Sequence, residues 1–363
     1  MRKLLIVLAA FAFVVAYTLP AMADDEWDFY GSARILTFNV TKSKEVTKNI
    51  EDEDFGHELS GSARTIGANV KSGDIRGRLE LGGTVNLRLA YAYWQFGAGK
   101  LLVGHDYTPL NWFPSGQVYR DASMVYYGAV YDGRRPQVKL LLMNDALQIA
   151  LVQPNAVSAQ KATTGVNVLD TDTSMPKLEV GYSLKLGPVN LFIFAGMNSS
   201  DDQLITGTTE QTTTIDSNVF GVGFKIPIGA LYVNGDVYMA TNPKNFGMAT
   251  LPKTNQGAVA KSATEVEDCD NMTYALVFGY KISDMLTIEA GYGYTEGETS
   301  LGGITSKDAQ TFTYVQLPIT LAKNVVLTPE VGVIDYGDLE VTGAPAVEQG
   351  DESYWGLRWM INF

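Results

Sequence analysis

The last stretch of the chain, Ser353–Phe363, constrains the fold most. One alternate set of residues reads Trp355, Leu357, Trp359, Ile361, Phe363; the other reads Tyr354, Gly356, Arg358, Met360, Asn362. Side chains two apart share one face of a β-strand, so this is a strand with an oily face and a polar one. A soluble sheet would turn the oily face to a core, as in an edge strand of a secreted sandwich. A membrane barrel turns it to lipid, with Trp355, Trp359 and Phe363 supplying aromatic girdles.

The opposite end of the chain points to export. Arg2 and Lys3 precede an apolar run from Leu4 to Val15, and Ala21-Met22-Ala23 has the form of a cleavage site. This pattern predicts a signal peptide over 1–23 and a mature chain, 24–363, starting at Asp24. No later run approaches the roughly 20 apolar residues of a spanning helix. An exported chain of this kind that resides in a membrane must therefore do so as a β-barrel, the other fold that satisfies every backbone group in lipid. The net charge of −13 disfavours nucleic acid as a partner. The single cysteine, Cys269, cannot form an internal disulfide. Its neighbours Glu265, Glu267, Asp268 and Asp270 read as a solvated acidic loop rather than a metal site.

Period-two segments recur along the mature chain, from Trp27–Val40 to Ser353–Phe363, and number about sixteen. Short turns, such as Ser72-Gly73, Gly187-Pro188 and Ser283-Asp284, alternate with long polar loops near 41–57, 154–175, 199–215, 241–270, 296–308 and 337–352. An even strand number, with short turns on one rim and long loops on the other, is the signature of an outer-membrane barrel. The expected fold is all-β, a transmembrane antiparallel barrel whose width leaves an aqueous channel. Facing follows from alternation. Val85, Leu87, Leu89, Tyr91 and Tyr93 are expected outward and Arg88 inward. Met272, Tyr274, Leu276, Phe278 and Tyr280 are expected outward, as are Ile288 and Tyr292, with Glu289 inward.

Two features bear on function. Arg34, Arg64, Arg76, Arg78 and Arg88 fall on the polar sides of the first four strands. A lipid-facing arginine at the midplane costs about 2–4 kcal/mol, so they are expected to line the channel. There they would attract anions or form wall-stiffening salt bridges with acids such as Asp74 and Glu80. The second feature is 108–136, a long connection after strand five. It carries Arg120, Asp121, Asp132, Arg134 and Arg135 with Trp112, Phe113, Tyr119, Tyr126, Tyr127 and Tyr131. Met124–Tyr127 is too apolar for a solvated loop. The segment is expected to fold inward as a constriction, with Asp121 and Asp132 facing the wall arginines.

With these features the chain resembles the general bacterial porin family. Asp28-Phe29-Tyr30-Gly31 opens the first mature strand, and Ser62-Ala63-Arg64-Thr65-Ile66-Gly67 is similar to the family's second-strand segment with one extra residue. A long loop follows strand five, and the chain ends in phenylalanine. The resemblance implies a homotrimer in the bacterial outer membrane. It implies that Arg34 and Arg64 are wall residues opposite acids of the inward loop, and that Phe363 is the signal read by the barrel-assembly machinery. The acidic stretches Glu51–Asp54 and Glu265–Asp270 are candidates for divalent cations bridging lipopolysaccharide.

Catalysis finds little footing. The only histidines are His57 and His105, and adjacent strand residues such as His105 and Asp106 point to opposite faces. No G-x-S-x-G, H-E-x-x-H or P-loop pattern occurs. The chain reads as a non-enzymatic porin without a cofactor, passing small hydrophilic solutes and ions by passive diffusion. The rival readings are a gated or substrate-specific transporter and a structural or adhesive barrel with a closed lumen.

Overall fold

The computed structural model describes residues 26–363 apart from 49, 62–63 and 162–164, and the side chain of Arg64 is outside it. The expected signal peptide and the start at Asp24 therefore lie outside the described residues. The chain is built almost wholly of strands. The first nine are β1 Glu26–Tyr30, β2 Ser32–Lys42, β3 Asp52–Leu59, β4 Arg64–Ser72, β5 Ile75–Gly82, β6 Leu87–Phe96, β7 Gly99–Tyr107, β8 Arg134–Leu142 and β9 Leu147–Val152. Next come β10 Gln160–Lys161, β11 Val166–Asp172, β12 Lys177–Leu186, β13 Val189–Thr206, β14 Thr209–Ile228, β15 Leu231–Thr241, β16 Val259–Ser262 and β17 Glu265–Glu267. The chain closes with β18 Cys269–Lys281, β19 Thr287–Leu301, β20 Ile304–Gln316, β21 Ile319–Ala322, β22 Val325–Asp335, β23 Asp338–Val341, β24 Val347–Glu348 and β25 Asp351–Asn362. No helix among the described residues is long and apolar enough to cross a membrane.

One sheet holds 22 of these strands, and β10, β16 and β17 form a small second sheet. The count differs from the sixteen expected because several long strands are cut into segments. Gly31 separates β1 from β2 where the backbone lies against the Phe363 ring. Leu317 and Pro318 separate β20 from β21, and a proline has no N–H to give to the ladder. Pairing in the large sheet is antiparallel throughout. β4 to β9 pair each with the next. β9 pairs with β12, which leads through β13 and β14 to β15. β15 pairs with β18, then β19 and β20 follow. β22 joins β20 to β25. The second strand, β2, pairs with β3 on one side and with the last strand, β25, on the other.

Alternation decides which face is covered. In β18, Met272, Phe278 and Tyr280 are exposed while Thr273, Ala275 and Val277 are buried. In β19, Ile288 and Tyr292 are exposed and Glu289 is buried. On β25, Trp355, Trp359 and Ile361 are exposed and Tyr354 is buried, as the period-two pattern requires. β6 departs from expectation. A register shift between Glu80 and Leu81 sets Leu89, Tyr91 and Tyr93 opposite Glu80, Arg78 and Arg76. Leu89 is buried, and Trp94 is exposed on the other face beside Ile75. The extra residue of this bulge lets Arg88 and Leu89 both turn to the buried side.

Three further expectations need correction. The stretches 199–215 and 296–308 are not loops: β13–β14 and β19–β20 run on to tight turns at Gly207 and at Gly302-Gly303. Their residues are polar, so they carry no hydrophobic period, yet backbone pairing continues. Most of the acidic run Glu51–Asp54 lies in β3 rather than in a loop. Cys269 is fully buried at the start of β18, not solvated.

Candidate functional site

The segment 108–133, between β7 and β8, fills the space against the buried face of the sheet. Leu110, Val118, Met124, Ala129 and Val130 have no exposure at all. Two hydrophobic clusters are formed by this segment with strand residues such as Phe312 and Tyr314 on β20 and Phe194 on β13. The segment makes only an isolated bridge, Asn111 to Tyr131, and local turns with its own carbonyls, so its remaining buried N–H groups need acceptors elsewhere. Carboxylates from well-separated strands supply them. Glu179 of β12 accepts from Leu110 N at 3.0 Å, and Asp236 of β15 accepts from Val130 N at 2.8 Å. Glu289 of β19 accepts from Ser115 Oγ. Glu330 of β22 accepts from Val118 N at 2.6 Å, Tyr119 N at 3.2 Å, Gln117 Nε2 at 2.7 Å and Tyr354 Oη at 2.6 Å. Glu352 of β25 accepts from Tyr119 Oη at 2.6 Å and Arg120 Nη2 at 2.8 Å.

Glycines permit the close approach. A Cβ on Gly293 would sit 1.5 Å from the Tyr127 carbonyl oxygen, and one on Gly223 would sit 2.8 Å from the Trp112 ring. At the tip, Arg120, Asp121, Ser123 and Met124 all have positive φ, between 51° and 69°. Non-glycine residues there cost about 1–2 kcal/mol each. The surrounding hydrogen bonds and packing hold the tip in that form.

Asp121 is the tip's junction with the sheet. Its Oδ2 accepts from Arg34 Nη1 at 2.8 Å and Ser60 Oγ at 2.9 Å, and its Oδ1 from Arg358 Nη1 at 2.7 Å. Burial raises its carboxyl, but the Arg358 and Arg34 guanidiniums together outweigh this and hold it below the usual carboxylate range. Asp132 lies apart, at the base of the segment. It pairs with Arg135 at 3.0 Å and Lys177 at 2.5 Å, not with the wall arginines that the sequence suggested. Burial and the neighbouring Glu179 raise its carboxyl, against Lys177 and Arg135.

Six of the expected site residues divide among three cavities. Arg34, Arg88 and Asp121 line one of about 390 Å³ with Tyr107, Phe113, Ser123, Tyr126, Tyr131 and Arg134. Arg76 and Arg78 line a second, with Tyr91 and Tyr93. Arg120 lines a third, with Lys42, Asp54 and Glu58. Arg78 and Arg88 both pair with Glu80, at 3.1 and 2.7 Å, so wall salt bridges and cavity lining coexist in the same residues. Arg64 pairs with Gly82 through its backbone, and its side chain lies outside the described residues. Sequence reasoning missed Arg358 and the anchoring acids Glu179, Asp236, Glu330 and Glu352. The available signal was an acid on the polar side of an otherwise apolar strand, as at Glu330 between Pro329 and Val331. Among the described residues, no group of three or more His, Cys, Asp or Glu is placed to hold a metal ion.

No protein-family model and no curated protein matches the chain. Solved structures do. It is similar to the outer membrane channel DcaP of Acinetobacter baumannii, with a TM-score of 0.68 at 15% identity over 95% of this chain and 99% of that one. It is also similar to outer-membrane expressed OmpT of Vibrio cholerae, with a TM-score of 0.57 at 18% identity over 93% and 98% of the two chains. The anion-selective porin from Comamonas acidovorans gives 0.52 at 11% identity over 94% and 100%. At these identities the likeness is one of architecture, and it runs the length of the chain: this protein has the fold of outer-membrane channels.

Proposed function

We propose that the protein is a bacterial outer-membrane porin, a water-filled channel through which small hydrophilic solutes and ions diffuse passively. The observation that carries this reading is the segment 108–133. It is pinned along the buried face of the sheet by acids from five strands, and it leaves an arginine-lined cavity beside it. The β2–β25 pairing brings the last strand of the large sheet against the second. That supports a closed barrel, which has no free edge. The exposed belt that includes Trp94, Phe220, Val331, Trp355 and Trp359 suits contact with lipid.

The segment 108–133 narrows the lumen, and Arg34, Arg76, Arg78 and Arg88 with Arg120 set a basic field in what remains. Asp121 locks the narrowing in place, and Asp132 braces its base. The channel therefore favours anions although the whole chain is acidic. Export by the 1–23 leader, barrel assembly through the strand ending at Phe363, lipopolysaccharide contact at the outer rim and assembly as a homotrimer complete the reading. No cofactor and no catalytic step enter it.

One observation favours the gated or substrate-specific alternative. Thr250 Oγ1 donates to the Val125 and Ala129 carbonyls at 3.0 Å, and Lys253 reaches the Gln349 carbonyl at 2.8 Å. A second segment thus lies over the first. Single-channel recording of the refolded protein in a planar bilayer with a potassium chloride gradient separates the two. Stepwise ohmic openings with an anion-signed reversal potential are expected. A folded barrel without conductance overturns the diffusion channel.

A further inference from the structure

The 390 Å³ cavity beside Asp121 is built from two kinds of surface. One is cationic. Asp121 is shared by Arg34 and Arg358, and Glu80 is shared by Arg78 and Arg88. Arg134 has no carboxylate partner among the described residues; its guanidinium lies over the Tyr107 ring at 5.3 Å. Of the residues that line the cavity, three guanidiniums, Arg34, Arg88 and Arg134, thus stand with one carboxylate, Asp121, whose charge Arg358 already shares. The other surface is aromatic. Tyr107 and Phe113 meet edge to face at 5.5 Å, Phe113 and Tyr131 at 6.0 Å, and Tyr126 and Tyr131 at 6.3 Å. Burial pushes the Tyr131 hydroxyl up to about 12, so it remains a neutral donor across the physiological range.

Exposure singles out this wall. Leu110, Val118, Met124 and Val130 of the same segment are fully buried, yet Phe113 is 37% exposed and Tyr126 48% exposed. Both rings line the cavity. A narrowing that served charge alone would have no use for two open rings beside three arginines. Pockets of a few hundred cubic ångströms with aromatic walls and a few charged groups are the form of small-molecule sites.

We infer that this cavity is a saturable binding site for organic anions that join a carboxylate to an aromatic ring. Arg34, Arg88 and Arg134 take the carboxylate, and Phe113, Tyr126 and Tyr131 take the ring. The inference rests on the channel reading above and adds a preferred solute class to it. A small inorganic anion meets only the arginines. A neutral aromatic meets only the rings. The combined ligand gains from both.

The test is calorimetric titration of the refolded full-length protein with benzoate, acetate and benzyl alcohol, alongside block of chloride conductance by the same three. Benzoate is expected to bind and block at concentrations about tenfold or more below acetate, the worth of covering a ring. Phe113→Ala is expected to bring benzoate close to acetate and leave acetate unchanged. Arg134→Gln is expected to weaken both anions and leave benzyl alcohol unchanged. Equal binding of benzoate and acetate by a conducting protein overturns the site and leaves the channel reading standing. Benzoate binding that survives both substitutions also overturns the site. Benzoate binding that depends on Phe113 and Arg134 in a protein that does not conduct supports the site and removes the diffusion channel.

Discussion

Replacing Glu330 by glutamine keeps the shape of the side chain and removes its charge. Glu330 is 4% exposed and accepts four hydrogen bonds, two of them from the backbone N–H groups of Val118 and Tyr119. An amide has one acceptor oxygen, and its nitrogen must point at a group that already donates. If the nitrogen takes the Oε2 position it meets Val118 N; if it takes Oε1 it meets Gln117, Tyr119 and Tyr354 together. The milder arrangement loses one charge-assisted bond and leaves a buried N–H unpaired, about 1.5–3 kcal/mol. That loss falls on the docking of 108–133, since the β22 ladder to β20 and β25 does not involve the side chain. Amide exchange at Val118 and Tyr119 is therefore expected to quicken by about 10- to 150-fold, while amides in β22 keep their protection. Amide exchange followed by mass spectrometry on the folded protein reads both. Unchanged exchange at Val118 and Tyr119 would refute the view that wall acids hold this segment.

Other outcomes follow from the same geometry. Gly293→Ala puts a Cβ where the Tyr127 carbonyl lies, so the segment is expected to lift, with larger conductance, proteolysis near 120–130 and an intact barrel by circular dichroism. A conductance equal to wild type would refute the close contact. Asp121 titrates below the usual carboxylate range, so its contribution is complete above about pH 4 and is lost as pH falls through its lowered value. Protonation leaves Arg34 and Arg358 uncompensated, so reversal potentials should shift further toward anions only below about pH 4; a transition centred near pH 6 would assign the effect elsewhere. Val331→Arg sets a charge on the exposed face of β22, beside Trp355, and is expected to cost about 2–4 kcal/mol of folding stability in lipid vesicles. A neutral effect there would remove that face from the bilayer.

The class of fold is legible in the residue pattern alone. Strict alternation in β25, β18 and β19 made one face oily and one polar, and each strand encodes that pattern locally with period two. The long segment after β7 and its mismatch with a solvated loop were also legible, because Met124–Tyr127 is apolar whatever surrounds it. Alternation could not follow the strands where both faces are polar, as in the outer parts of β13, β14, β19 and β20, since no hydrophobic period marks them. It also misplaced Leu89, Tyr91 and Tyr93, because one bulged residue at Arg88 reverses every later side chain in β6. Which acids meet which donors follows from the folded arrangement. Asp121 and Asp132 look alike in sequence, yet one joins Arg34 to Arg358 and the other pairs with Lys177. Glu330 lies more than two hundred residues from the N–H groups it accepts, and Arg358 lies equally far from Asp121. Contacts across such distances depend on the register of the whole sheet and on the path of the segment packed against it, and no local pattern carries either.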